Sequence, residues 1–186
     1  MDLFSIVGTP ILGLKVVERK PLGDSRGFLA RIFCADQLEN AGWKRPVIQI
    51  NQTVTKKRGT VRGMHFQNSP HAEMKLVSCL QGEIWDVAVD LRKNSPTFLK
   101  WHAETLSSEN CRALLIPEGF AHGFQALSDD CELLYLHTSP YVREAEGGIR
   151  PNDPYLDVPW PLDFFEISMR DANHPLLNDQ FMGVEI

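Results

Sequence analysis

Residues 83–91 read Glu83-Ile84-Trp85-Asp86-Val87-Ala88-Val89-Asp90-Leu91. Side chains point alternately to opposite faces of a β-strand, so Trp85, Val87, Val89 and Leu91 share one face here. Ile84, Asp86, Ala88 and Asp90 share the other. The segment therefore reads as a strand. Just upstream, residues 75–80 form a second apolar run, and Gln81-Gly82 between the two predicts a turn joining a strand pair.

The same signals recur along the chain. Residues 11–19 are an apolar, β-branched run closed by the turn cluster Lys20-Pro21-Leu22-Gly23-Asp24. Residues 28–34 predict a short strand, and residues 34–42 a short helix stopped by Gly42. Over residues 47–55, Ile48, Ile50, Gln52 and Val54 face one way, and Val47, Gln49, Asn51 and Thr53 the other, giving an apolar and a polar side. Lys56-Lys57-Arg58-Gly59 predicts a solvated basic turn. Residues 112–116 and 131–138 are further strands, separated by a loop-like stretch from Pro117 to Phe124. After Tyr141, the prolines Pro151, Pro154, Pro159 and Pro161 predict a tail laid over the sheets rather than more ladder. Many short strands with Gly/Pro turns, no linker and no repeat predict one all-β domain, a sandwich or a barrel.

Composition bounds the function. The chain has 186 residues, of which 43% are hydrophobic, about one domain able to bury roughly 70% of its unfolded surface. Lys and Arg number 19 against 24 Asp and Glu, a net charge of −5. Nucleic-acid binding depends on cations that neutralise phosphates, so this balance argues against it. It leaves room for a small phosphorylated ligand held by a few local arginines. Cys34, Cys79, Cys111 and Cys131 form no CxxC pair. An acid at position 2 and the lack of a long apolar run predict neither a secretion signal nor a membrane span, and a cytoplasmic setting.

Several polar residues stand out inside apolar strands. Arg62-Gly63-Met64-His65-Phe66-Gln67 puts His65 opposite the packed side chains Met64 and Phe66. Taken alone, His65 reads as a hydrogen-bonded core histidine, Lys75 as a snorkelling edge lysine, and Asp171 as a surface acid or helix cap. Tyr135 and His137 share a strand face. Pro117-Glu118-Gly119 feeds His122, which is followed by Gly123, where backbone can approach closely. The histidine spacings supply no metal-ligand set, and neither a serine nucleophile elbow nor a phosphate-binding loop occurs.

Taken together, these segments resemble the dTDP-4-dehydrorhamnose 3,5-epimerase family of the cupin superfamily. The matching residues are Asp24-x-Arg26-Gly27-Phe28, Gln49-x-Asn51, Gly59-x-Val61-Arg62-Gly63-Met64-His65-Phe66-Gln67 and Lys75-Leu76-Val77. They continue through residues 82–92 and Ser95-Pro96-Thr97-Phe98 to Ile116-Pro117-x-Gly119-Phe120-Ala121-His122-Gly123-Phe124, the most diagnostic block. Tyr135, Tyr141, Asn152-Asp153-Pro154, Trp160-Pro161 and Ile167-Ser168-x-x-Asp171 complete a colinear match from about residue 13 to 175.

The resemblance implies a cupin-type double-stranded β-helix, or jelly-roll, spanning residues 1–186 as one domain. It implies a homodimer with exchanged N-terminal strands, a nucleotide-diphosphate sugar as substrate, and neither cofactor nor metal. It assigns His65 as the base removing the protons at C3 and C5 of a 4-keto sugar, and Asp171 as its hydrogen-bonding partner. Lys75 would stabilise the enolate and Tyr135 return a proton from the opposite face. Arg26, Gln49, Asn51, Arg62, His122, Tyr141, Glu146 and Arg170 would bind substrate, with Tyr141 stacking on the base and Arg170 standing where the family often has Lys.

Departures from the family pattern cluster on the nucleotide side: Arg31 replaces a glutamate, and Glu73-Met74 a Gln-Gly before Lys75. Arg143 replaces a proline, and Arg150-Pro151 the usual tryptophan before Asn152. The resemblance thus leaves the nucleotide and deoxysugar open. It also leaves room for an enzyme that inverts C3 alone and for a nucleotide-sugar-binding cupin without turnover.

Overall fold

Both faces of the strand at residues 83–90 are buried: Val87 and Val89 pack on one side, Ile84 and Ala88 on the other, all at 0% exposure. A strand apolar on both faces needs layers on both sides, and the chain supplies them. The computed structural model describes residues 2–186. In chain order the elements are β1 (Phe4–Gly8), β2 (Lys15–Arg19), β3 (Leu22–Asp24), β4 (Gly27–Leu29), α1 (Ala35–Glu39), β5 (Gln49–Thr55), β6 (Thr60–Gln67) and β7 (Lys75–Gln81). There follow β8 (Glu83–Asp90), β9 (Trp101–Ser107), β10 (Arg112–Ile116), β11 (Phe120–Ala126), β12 (Cys131–His137), β13 (Glu146–Gly148), β14 (Glu166–Ile167) and α2 (Met169–Ala172).

Two antiparallel sheets face each other. The first has the order β1-β2-β10-β7-β12-β5 and the second β13-β6-β11-β8-β9, with β14 added in parallel beside β6. Strands β3 and β4 form a separate two-stranded ribbon. Between the sheets lie Val77, Leu114 and Leu133 from the first and Ile84, Phe120 and Phe124 from the second. Leu38, Ala41 and Trp43, on and after α1, cover the outer face of the first sheet against Leu76, Leu115 and Leu136. Ile149, Leu156, Trp160 and Val184 from the C-terminal third cover the outer face of the second against Met64, Val87 and Leu91. Each such fully buried aliphatic side chain contributes about 1.5–3 kcal/mol. This is the all-β jelly-roll arrangement expected of a cupin.

Four local expectations need correction. β7 and β8 are not a hairpin: β7 pairs with β10 and β12, and β8 with β9 and β11. Gly82 turns the chain from one sheet to the other at φ +76°, a position where a Cβ would lie 2.5 Å from Ser128 Oγ. The stretch from Pro117 to Phe124 is a loop only as far as Gly119; from Phe120 it is the fully buried central strand β11. Its small residues, Ala121 and Gly123, reflect close packing rather than a turn. The strand expected over residues 11–19 is β2 and begins only at Lys15, because Gly13 (φ +87°) closes a turn in which Leu14 N donates to Ile11 O. The strand predicted over residues 28–34 ends at Leu29, since that ribbon has no further partner.

The four cysteines are free thiols. Among the described residues, no helix is long and apolar enough to cross a membrane.

Candidate active site

Strands β6 and β11 approach unusually closely at two glycines. A Cβ on Gly63 would lie 2.5 Å from Gly123 Cα, and one on Gly123 2.7 Å from Arg62 O. The register slips between His122 and Phe124, while His122 stays opposite His65. The slip and the missing side chains let the strands curve together and aim Arg62, His65 and His122 into one cavity. That cavity, about 400 Å³, lies between the sheets, with β6 and β11 on one wall and β5, β7 and β12 on the other.

His65 is the centre of the first wall. Its Nε2 lies 2.8 Å from Asp171 Oδ1. Asp171 sits in the first turn of α2, where its backbone N–H donates to the Ser168 hydroxyl at 3.0 Å. This Ser-x-x-Asp cap orients the short helix, but the acid does not fold back on Ser168; its Oδ2 accepts from Gly63 N at 3.2 Å. Burial pushes the Asp171 carboxyl up, yet the hydrogen bond and charge of His65, with those from Gly63 and Ser168, bring it down to about 2. An ionised Asp171 requires a hydrogen on His65 Nε2. The lone pair of the imidazole is therefore on Nδ1, which has no protein hydrogen-bond partner among the described residues.

Arg170 stands beside this pair, 3.1 Å from His65 Nε2 and 3.4 Å from Asp171 Oδ1. Glu146 holds it there at 3.1 Å and also accepts from the Tyr141 hydroxyl at 3.0 Å. Tyr141, half exposed at the rim, is fixed through its backbone N–H by Gln49 Oε1.

The opposite wall carries Lys75 and Tyr135. Lys75 is 7% exposed, donates to His65 O at 3.2 Å and pairs with Glu73 at 3.2 Å. Glu73 also accepts from Gln67 at 2.6 Å. Tyr135 stacks on His137 (ring centroids 6.1 Å, 16°) and meets His122 edge-on at 5.9 Å. Burial and the nearby Asp86 charge raise its hydroxyl well above the usual 10, so it stays protonated at neutral pH. His122 Nε2 contacts Asp86 Oδ1 at 2.7 Å; burial raises the Asp86 carboxyl, and His122 and Lys75 pull it partly back. Burial, followed by the charges of Lys75 and His122, lowers His137 to about 4.

The cavity thus gathers His65, Asp171, Lys75, Tyr135, Asn51, Arg62, His122, Tyr141, Glu146 and Arg170. Two expected binding residues lie off it. Gln49 supports Tyr141 from behind and bonds Asn51 Oδ1 at 3.1 Å. Arg26 is on the β3–β4 ribbon, pairs with Asp24 at 2.6 Å, and its side chain is 87% exposed. Arg62 has no carboxylate in ion-pair range among the described residues; its Nε bonds Thr55 Oγ1 at 3.0 Å, which leaves its charge free for an anion.

Sequence reasoning did not single out His174. Its ring meets His65 edge-on at 5.8 Å, and its Nε2 is 3.8 Å from Asp171 Oδ1. The Asp-x-x-His spacing on one helical turn was the available signal. The roles of Glu73 and His137 around Lys75 and Tyr135 also emerge only in three dimensions.

The profile of the dTDP-4-dehydrorhamnose 3,5-epimerase family matches residues 8–179. The chain is 42% identical to a dTDP-4-dehydrorhamnose 3,5-epimerase of Salmonella typhimurium, covering 95% of this chain and 97% of that one. Among solved structures, a dTDP-6-deoxy-D-glucose-3,5-epimerase of Legionella pneumophila in complex with dTDP-4-keto-L-rhamnose superposes with TM-score 0.91 at 40% identity, covering 98% of both chains. A 3'-monoepimerase of Streptomyces bikiniensis in complex with dTDP-quinovose gives 0.85 at 33% identity, covering 91% of this chain and 86% of that one.

Proposed function

The chain belongs to the dTDP-4-dehydrorhamnose 3,5-epimerase family, and on that premise we propose that it epimerises a nucleotide-diphospho-4-keto-6-deoxysugar at C3 and C5. The reaction is of the type that converts dTDP-4-dehydro-6-deoxy-D-glucose to dTDP-4-dehydro-L-rhamnose. The observation that supports this reading is one cavity lined on opposite walls by an imidazole bonded to a carboxylate and by a partly buried phenol. His65, on β6 and bonded to Asp171 of α2, lines one wall, and the protonated Tyr135, on β12 of the other sheet, lines the opposite one.

The C4 carbonyl acidifies the hydrogens on C3 and C5. Nδ1 of His65 takes one of them, and Asp171 stabilises the imidazolium that forms. Negative charge moves to the C4 oxygen, where the buried Lys75 ammonium offsets it. Tyr135 delivers a proton to the other face of the enolate, and the centre inverts. The second carbon repeats the cycle. Only protons move, so these four groups suffice for the chemistry.

Arg62 and Arg170 bind the diphosphate, and Tyr141 stacks on the base. A diphosphate draws Arg170 from its place beside His65 Nε2, so substrate binding itself clears the dyad of a competing cation. Asn51, Gln49, Glu146 and His122 complete the sugar and nucleotide contacts.

The working unit is a homodimer. Ile48, just before edge strand β5, and Ile50 within it are 53% and 60% exposed, and Phe28 and Leu29 are 66% and 64% exposed on the β3–β4 ribbon. Apolar side chains on an unpaired edge favour a partner. A ribbon that crosses to the partner carries Arg26 to the neighbouring cavity, which explains its position away from its own. Free cysteines and a nucleotide-sugar substrate suit the cytoplasm.

Incubation with dTDP-4-keto-6-deoxyglucose in deuterated water tests the reading. Label at both C3 and C5 is expected, and absence of exchange with every nucleotide-diphospho-4-keto-sugar tried would sink it. The likeness to a 3'-monoepimerase supports a second reading, inversion of C3 alone, which label confined to C3 selects.

A further inference from the structure

We propose that His65, Asp171 and His174 form a binding site for a divalent transition ion of the zinc class, and that occupancy switches the catalytic base off. Nε2 of His65, a carboxylate oxygen of Asp171 and a nitrogen of His174 lie within 4.8 Å of one another. His65 and His174 stand 2.8 Å and 3.8 Å from the same oxygen, Asp171 Oδ1. Ligands about 2.0–2.1 Å from a tetrahedral ion are separated by about 3.4 Å, between those two distances, and side-chain rotation would bring the two imidazole nitrogens to the same spacing. Two imidazoles and one carboxylate suit zinc, cobalt or nickel rather than magnesium or calcium. His65 and Asp171 line the cavity, the side from which a water would complete the set.

His174 is what turns a catalytic pair into a ligand set. Its Nε2 is buried and has no hydrogen-bond partner among the described residues, an uncommon state for a polar atom. The ring is seated by backbone: Arg150 Nε donates to His174 O at 2.5 Å, and a Cβ at Gly148 would overlap the imidazole. The proposed proton-transfer steps give this residue no task. Arg170 is the competing cation among the described residues, and its side chain is 55% exposed and free to withdraw toward Glu146 and solvent.

The chemistry of inhibition follows from the tautomer. In the active form Nε2 carries the ring hydrogen and Nδ1 the lone pair. An ion on Nε2 takes the lone pair there, so the ring hydrogen transfers through solvent to Nδ1. The imidazole stays neutral, but Nδ1 can no longer accept a proton from a sugar carbon. Asp171 turns from hydrogen-bond acceptor to ligand.

The test uses the full chain, free of any polyhistidine tag, titrated with Co²⁺ and Zn²⁺ in the absence of substrate. One Co²⁺ per chain with a tetrahedral visible spectrum is expected, with displacement by Zn²⁺. His174→Gln should lower the affinity by at least about tenfold, keep the basal epimerase activity and lose zinc inhibition. On the unmodified protein, Zn²⁺ should perturb the imidazole resonances of His65 and His174 among the six histidines, a readout independent of how the variant folds. No binding up to millimolar ion, unchanged affinity in a folded His174→Gln, or perturbation of other histidines instead overturns the proposal. Because binding is read without substrate, its failure is distinguishable from failure of the epimerase reading.

Discussion

Asp171 Oδ1 lies 2.8 Å from His65 Nε2, across a separation of 106 residues in the chain. The contact sets which ring nitrogen carries hydrogen and so which one would act as the proposed base. Replacing Asp171 with Asn keeps the shape but lets the side chain donate to Nε2, which favours the wrong tautomer. The expected result is a fall in kcat of about 10²–10³-fold with little change in KM. Steady-state kinetics check it, and a variant within twofold of wild type would remove Asp171 from the mechanism.

Tyr135 and His65 occupy opposite sheets, so the proposed abstraction and return of the proton are separable. Tyr135→Phe should still exchange substrate hydrogens with deuterated water, because His65 can return what it took. Inverted product should drop by about 10²-fold or more. Nuclear magnetic resonance of the sugar protons reads both quantities in one sample; equal loss of exchange and inversion would contradict the division of labour.

Gly123 has no room for a side chain: a Cβ there would lie 2.6 Å from Met64 Sδ and 2.7 Å from Arg62 O. Gly123→Ala is expected to destabilise the fold by about 1–3 kcal/mol, because strand β6 must move. The shift displaces His65 and Arg62 too, so activity falls in the fraction that remains folded. Urea denaturation together with kinetics on the folded protein tests both parts.

His137 is held at about 4 against an ordinary 6.5, so it is neutral in the folded protein. The unfolded chain takes up a proton there first. The stability linked to His137 is therefore complete above pH 6.5 and is lost as pH falls toward 4, by about 2–3 kcal/mol. Replacing His137 with Gln removes this loss. Urea midpoints across that window should bring the wild type down toward the variant, and a difference between them independent of pH would rule the assignment out.

Much of this was legible before any coordinates. The alternation in residues 83–91 identified a strand and assigned both of its faces correctly, because side-chain direction in a strand depends only on position parity. Residues 112–116 and the body of residues 131–138 likewise appeared where the pattern placed them. Motif resemblance named ten of the residues that line the cavity. The errors came where pairing was non-local. Gln81-Gly82 looks like a hairpin turn, and only the competition among partners shows that β7 and β8 belong to different sheets. Gly119 before β11 and Gly123 within it together look like a loop, since a close backbone approach and a turn favour the same residue.

His174 shows the same division at the level of the site. Its neighbours in sequence mark the end of a short helix, and nothing in that spacing points to residue 65. The sequence by itself determined the all-β class, the strand faces and the inventory of acids, bases and cations, all of which depend on residue type and local order. Tertiary structure alone decided which strands share a sheet, which nitrogen of His65 is free, and that Asp171, Arg170 and His174 surround one imidazole. Those are distances of a few ångströms between groups far apart in the chain, and only the packing of two sheets around a common core fixes them.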